Sequence, residues 1–212
     1  MSAVGRTVLL CVVFITLVIG MFVYSTMQVP QLSDDELRDQ GVFLLPRPRD
    51  IAPFELQDHL GQVFDNTRLL DHWTFVFFGF THCPDICPTS MSELGQVDTQ
   101  LRQAGGELAE GFQGVLVTVD PERDTSEVLG QYATAFSPRF LGVRGERGPT
   151  AEFAQQVNAV FAKMPADEGG YTMDHTGNII IINPRGHYHG FIKLPHEAET
   201  IRLAYQSLAA RF

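Results

Sequence analysis

Apolar residues follow three different rhythms along this chain. From Thr7 to Tyr24 (TVLLCVVFITLVIGMFVY) they run for 18 residues without a charge, with Arg6 just before. A helix of that length rises about 27 Å, close to the hydrocarbon thickness of a bilayer. The run predicts a transmembrane anchor over 7–24, with residues 1–6 on the cytoplasmic side because Arg6 lies there. A cleaved signal peptide is the rival reading, but the bulky stretch FVYSTM at 22–27 offers no small-residue cleavage site.

The second rhythm is a set of short unbroken runs: TFVFF at 74–78, GVLVTVD at 114–120 and NIIIIN at 178–183. Runs rich in β-branched and aromatic residues, without alternation, predict strands buried on both faces. FELQD at 54–58 does alternate, and His59-Leu60-Gly61 turns it into Gln62-Val63-Phe64, a hairpin. A short strand is expected near 140–143, and Gly186 to Lys193 should pair with the third run. The third rhythm is helical. It covers 91–103 (Leu94, Val97, Leu101), the stretch after Pro121 to Thr125 (Val128, Leu129, Tyr132, Phe136), and 197–210. A further helix is expected after Thr150 as its cap, carrying Phe153, Val157, Val160 and Phe161. Strands alternating with helices, then a late hairpin and a terminal helix, predict an α/β layered domain over 54–212. Between anchor and domain, 25–53 shifts to Pro30, Pro46, Pro48, Pro53 and acidic residues, which predicts a linker with one short helix.

Composition narrows the chemistry. At 212 residues the chain has room for one domain with a full core. Acidic residues number 25 against 15 basic ones, net −10, with no basic run, so nucleic acid is not an expected partner. The cysteines are Cys11, inside the anchor, and the pair Cys83 and Cys87, too few for a disulfide scaffold.

That pair lies in TFVFFGFTHCPDICPT, residues 74–89, where a buried strand passes into a helix. Gly79 is expected to let the backbone turn, and Thr89 or Ser90 to cap the helix. Orphan N–H groups at a helix start favour thiolate over thiol. Cysteines at i and i+4 on one turn have Cα atoms about 6 Å apart, within disulfide reach. Two thiolates equally suit Cu(I) rather than a hard cation, and structural zinc would want four protein ligands. His175, just before the third strand, offers a borderline third ligand; a structural histidine is the competing reading. Other candidates have less around them. His82 adjoins Cys83; His187 and His189 share a strand face; Met164 and Met173 carry thioethers; His59, His72 and His196 have no partner in sequence.

The runs FGFTHCPDICPT at 78–89, VDPERDT at 119–125 and Asp174-His175, in that order and spacing, resemble the Sco/SenC family. The likeness covers the domain and the anchor. It implies a thioredoxin-like fold, a central mixed sheet flanked by helices, behind an N-terminal transmembrane helix. It implies copper, as Cu(I), Cu(II) or both, held by Cys83, Cys87 and His175. Asp174 then either orients the imidazole and screens the metal or bonds only local backbone. Asp85 either tunes the thiols and meets a partner or caps the helix. The family assembles the dinuclear copper centre in subunit II of cytochrome c oxidase. This implies that subunit and other copper chaperones as partners, and a single-pass place in the inner membrane with the domain outside the cytoplasm.

Three functions follow from the pair. The first is copper delivery, a carrier rather than an enzyme. The second is a thiol–disulfide reductase keeping the oxidase subunit's cysteines reduced, although three intervening residues depart from the C-x-x-C redox motif. The third, a thiol peroxidase, would need an arginine near Thr81 and Cys83, and the sequence offers none beside them.

Overall fold

The computed structural model describes residues 3–27, 31–166 and 169–212. It divides into two units, 1–31 and Leu32–Phe212. In the first, helix α1 runs over Ala3–Met27, and its stretch Val4–Phe22 is long and apolar enough to cross a membrane.

The second unit opens with α2 (Asp34–Asp39), closed at its start by a capping box between Ser33 and Glu36. Strands β1 (Val42–Arg49), β2 (Glu55–Asp58), β3 (Val63–Asp65) and β4 (Trp73–Gly79) follow. Then come α3 (Ile86–Ala104), the short α4 (Glu107–Glu110), β5 (Phe112–Thr118), α5 (Ser126–Phe136), β6 (Leu141–Arg144) and α6 (Arg147–Gln156). Strands β7 (Phe161–Pro165), β8 (Tyr171–His175), β9 (Ile179–Ile182) and β10 (Tyr188–Ile192) precede the terminal α7 (Ala198–Ala209).

Eight strands form one mixed sheet in the order β1-β10-β9-β4-β5-β6-β2-β3. β4 runs parallel to β5 and antiparallel to β9, so it sits mid-sheet, and all seven of its residues are buried. That explains its unbroken apolar run: both faces are covered and no position looks to water. Helix α3, which begins just beyond β4, packs against α5 and α7. β7 and β8 stand apart as a two-stranded ribbon.

The segment expected as a linker is mostly domain. The compact unit starts at Leu32, not Phe54, and β1 pairs with β10 at the sheet edge. Leu37 and Val42 are fully buried and Ile51 nearly so. Pro46 and Pro48 are tolerated because β1 is an edge strand whose register shifts between Leu44 and Arg49. The expected short helix is α2; positions 28–30 lie outside the described residues.

Two helix starts differ from expectation. α3 begins at Ile86 with Asp85 at the cap position, and Pro88 fits its first turn. The Thr89 hydroxyl donates back to the Asp85 carbonyl at 3.0 Å instead of capping. α6 begins at Arg147, leaving Thr150 inside it with a buried hydroxyl. It also ends early. Asn158 takes a left-handed φ of 59°, which stops the helix and sends Phe161 into β7.

Candidate metal centre

Cys83, Cys87 and His175 bring one donor atom each to a single point, all within 4.8 Å of one another. Each arrives from a different element. Cys83 closes a turn after β4, its amide donating to the Phe80 carbonyl at 3.2 Å. Cys87 is the second residue of α3 and fully buried. His175 ends β8, opposite Phe161 in the ribbon. Cys83 and His175 are half-buried, so the group opens to solvent on their side.

Gly79 serves packing rather than turning. A Cβ there would meet Cys87 Sγ at 2.9 Å and the Phe77 ring at 3.0 Å. The end of β4 must therefore be bare for the thiol to lie over it.

The electrostatics run against the expected thiolate. Burial pushes the Cys87 thiol up, outweighing the Phe80 backbone amide that favours the anion, and neighbouring Cys83 pushes it further. The helix start does not offset desolvation here. Both thiols are free. For His175, burial lowers the pKa, while the Thr176 carbonyl and the Asp174 charge act in the opposite sense. His175 Nδ1 lies 3.2 Å from the Thr176 carbonyl, which can only accept, so that nitrogen carries the proton. Nε2 then turns its lone pair toward Cys87 Sγ, 3.5 Å away. The imidazole stands edge-on to Phe77 and Phe80, each with ring centroids 5.8 Å away.

Two thiols and a neutral imidazole with a free lone pair fit a soft or borderline cation. The two sulfurs, this close, also suit a dithiol that can close on itself.

The acidic candidates divide. Asp174 is exposed, and the hydrogen bond that fixes the imidazole goes to Thr176, so Asp174 reaches the ring through charge alone. Asp85 holds the cap position of α3, yet its side chain makes no capping hydrogen bond and is exposed between the cysteines. Asp124 belongs to the VDPERDT run, and the structure gives it a definite place beside the thiols' turn. Its buried carboxylate accepts from the Thr81 amide at 3.1 Å and from the Thr81 and Thr118 hydroxyls at 2.6 Å. This ties the Cys83 turn to the end of β5. Its place in the VDPERDT run, just before the threonine cap of α5, was the signal for it.

The remaining histidines serve elsewhere. His82 turns to Thr81 and Asp124 rather than to the thiols. His187 pairs with Asp50 at 3.2 Å, while His189 meets Asn183 and the Trp73 edge, so these two do not converge. His59 accepts from the Gly142 amide, His72 meets Gln113, and His196 lies between Ser90 and the Ile192 carbonyl. Met173 is buried in the core, and Met164 is exposed on the ribbon.

The family model for SCO1/SenC matches residues 45–210. A relative from Stutzerimonas stutzeri that is named for copper binding is 38% identical over 170 residues, covering 79% of this chain and 82% of its own. The mitochondrial SCO2 homolog of Bos taurus is 36% identical over 149 residues, 70% of this chain. The matched part is 55% of that relative's length. Among solved structures, Arabidopsis thaliana ScoI with copper bound superposes with a TM-score of 0.70 at 25% identity, covering 76% of this chain and 98% of its own. With the mixed sheet between helices, that superposition gives the thioredoxin-like fold.

Proposed function

Because this chain belongs to the SCO1/SenC family, we propose that it binds copper through Cys83, Cys87 and His175 and delivers it to the dinuclear copper site of cytochrome c oxidase subunit II. The observation that carries this reading is the convergence of two sulfurs and one imidazole nitrogen within 4.8 Å. Two thiolates favour Cu(I). Binding requires both thiols to lose their protons, so copper uptake offsets the desolvation that holds Cys87 protonated in the metal-free protein. Cys87 is sealed beneath the site while Cys83 meets solvent, so an incoming thiol displaces Cys83 first and Cys87 last. Other copper chaperones would supply the metal. Helix α1 would anchor the chain once in the inner membrane, with the domain on the periplasmic side, consistent with Arg6 before the apolar run.

A second reading uses the same sulfurs as a thiol–disulfide reductase, and it is favoured by two free thiols lying this close. The half-exposed Cys83 would attack a substrate disulfide. Buried Cys87 would then resolve the mixed disulfide, leaving the protein oxidised and the substrate as two thiols.

Titrating the reduced, full-length chain in detergent with Cu(I) against a competing chelator separates the two. Copper delivery predicts one copper per chain, lost in Cys83→Ala and weakened in His175→Ala by at least the about 10- to 100-fold that losing a mere hydrogen-bonding partner of a ligand costs. Affinity indifferent to His175 would favour the reductase.

A further inference from the structure

The β7–β8 ribbon carries His175 yet has little to hold it in place. It lies outside the main sheet, and of its described strand residues only Met173 is buried. A lone two-stranded ribbon is marginally stable in water. Its order therefore comes from what it touches. Tyr171, Met173 and His175 alternate onto one face of β8. Met173 enters the core and His175 reaches the thiols. Tyr171, at the far end of the strand, meets the loop between β5 and α5.

That meeting is a closed set of contacts. The Arg123 guanidinium lies 4.1 Å from the Tyr171 ring centroid, and its Nη1 donates to the Tyr171 carbonyl at 3.3 Å. Arg123 Nε donates to the Asp120 carboxylate, and the Tyr171 hydroxyl donates to the same carboxylate at 2.9 Å. From β7, Lys163 covers the other part of the grip: its Nζ is 3.7 Å from the Tyr171 ring centroid and 2.7 Å from Glu122. The loop half is fixed, because Asp120 is buried and its amide donates to the Thr118 hydroxyl at 3.0 Å. The same guanidinium also lies 5.6 Å from the Phe80 ring centroid, the ring against which His175 stands.

We propose that Arg123 and Tyr171 are positioning residues that clasp the ribbon to the 120–124 loop and so hold the His175 imidazole over the thiols. The consequence for copper rests on the reading of His175 as a ligand; the placement of the ring does not. Without the clasp, ordering the ribbon would have to come from copper binding itself, and the imidazole's contribution to affinity would fall by that amount.

The test uses the full-length chain in detergent, with Tyr171→Leu and Arg123→Gln as variants and Tyr171→Phe as the conservative one that keeps the ring over the guanidinium. In the metal-free protein, amides of 161–164 and 171–175 should exchange about 10- to 100-fold faster in Tyr171→Leu, while those of β4 and α3 hold their rates. Proton contacts between the His175 ring and the Phe77 and Phe80 rings should vanish, and Tyr171→Phe should restore most of them. Cu(I) affinity in Tyr171→Leu and Arg123→Gln should fall by no more than in His175→Ala, and neither change should lower it further in a His175→Ala background. Retained ring contacts and unchanged ribbon exchange overturn the clasp. So does an affinity loss of equal size in the His175→Ala background, which would mark a general defect. If His175→Ala itself leaves affinity unchanged while the ring contacts depend on Tyr171, the clasp stands and the ligand reading falls.

Discussion

Cys87 emerges from the first turn of α3 over the end of β4, a strand buried at every position. His175 ends a ribbon with four of the five β7 residues exposed and one buried residue in β8. The centre thus joins a half built into the densest part of the domain to a half laid on its surface. Local stability follows buried apolar contact, so the thiol half opens only with the whole domain and the imidazole half can open alone. On the proposed copper-delivery reading that inequality suits a carrier: His175 on its ribbon and half-exposed Cys83 are the donors an acceptor can displace, and buried Cys87 is the last to let go.

The largest effect is expected where the rigid half has no slack. In Gly79→Ala the new methyl would lie within 3.0 Å of Cys87 Sγ and at 3.0 Å from the Phe77 ring. The fully buried Phe77 cannot move freely, so the thiol gives way. Overpacking of this kind costs about 1–3 kcal/mol, read as an earlier urea midpoint, and Cu(I) affinity should fall with it because the sulfur leaves its place. Unchanged stability and affinity would mean that the strand end has room to spare, and the contrast between the halves would lose its first term.

A smaller effect belongs to Asp98, on the buried face of the same helix. Burial pushes its carboxyl up, but hydrogen bonds from Ser137, Arg139 and Arg102 together outweigh that and hold it below the usual carboxylate range. Arg139 and Ser137 belong to the chain after α5, so this carboxylate ties α3 to its neighbour. A depressed pKa contributes stability that is present above the unfolded value, about 3.9, and is lost as pH falls through the folded one. Asp98→Asn keeps the shape and removes the charge. It should cost about 1 kcal/mol at pH 7, since both arginines are partly solvated, and the gap from the parent should narrow as pH falls below the unfolded value through the folded one. A gap in unfolding midpoint that stayed the same size as the acid was increased would assign the loss to packing instead.

Much of the rigid half was legible in the sequence, and little of the surface half. Unbroken runs such as TFVFF announce strands covered on both faces, because burial leaves one hydrophobic pattern. The cysteine spacing announced the donor pair for a similar reason: the chemistry is local. What failed was whatever depends on residues distant in sequence. β1 looked like a linker, since Pro46 and Pro48 hide an edge strand. The helix through Phe161 was drawn too long because Asn158, whose left-handed φ stops it, is weaker punctuation than glycine. Gly79 looked like a turn when its reason is a sulfur eight residues on. The thiolate expected at a helix start ignored how deeply Cys87 is buried. His175 was legible as a borderline third ligand beside a structural reading, and only the resemblance favoured the ligand; β7, which pairs with its strand, is exposed along most of its length and announces nothing.

The smallest expected effect tests how the surface half is kept in order. Glu122 is exposed, and its carboxyl is held below the ordinary range first by the hydrogen bond from Lys163 and then by that residue's charge, with Arg147 adding to it. A carboxyl so lowered favours the grip at pH values above its unfolded pKa, and the support disappears as pH falls through the folded one. Lys163→Met removes the partner from β7 and keeps the length of the side chain. The Glu122 carboxyl followed by NMR should then titrate closer to an unperturbed glutamate, and the ribbon amides should exchange modestly faster at neutral pH. Raising the salt concentration should shrink the difference between parent and variant, as it does for any solvated pair. The amides of β4 should not respond, because every β4 residue is buried while the Lys163–Glu122 pair is partly exposed. If they did respond, the ribbon and the sheet would open as one unit, and the release of His175 would require loosening the thiols as well.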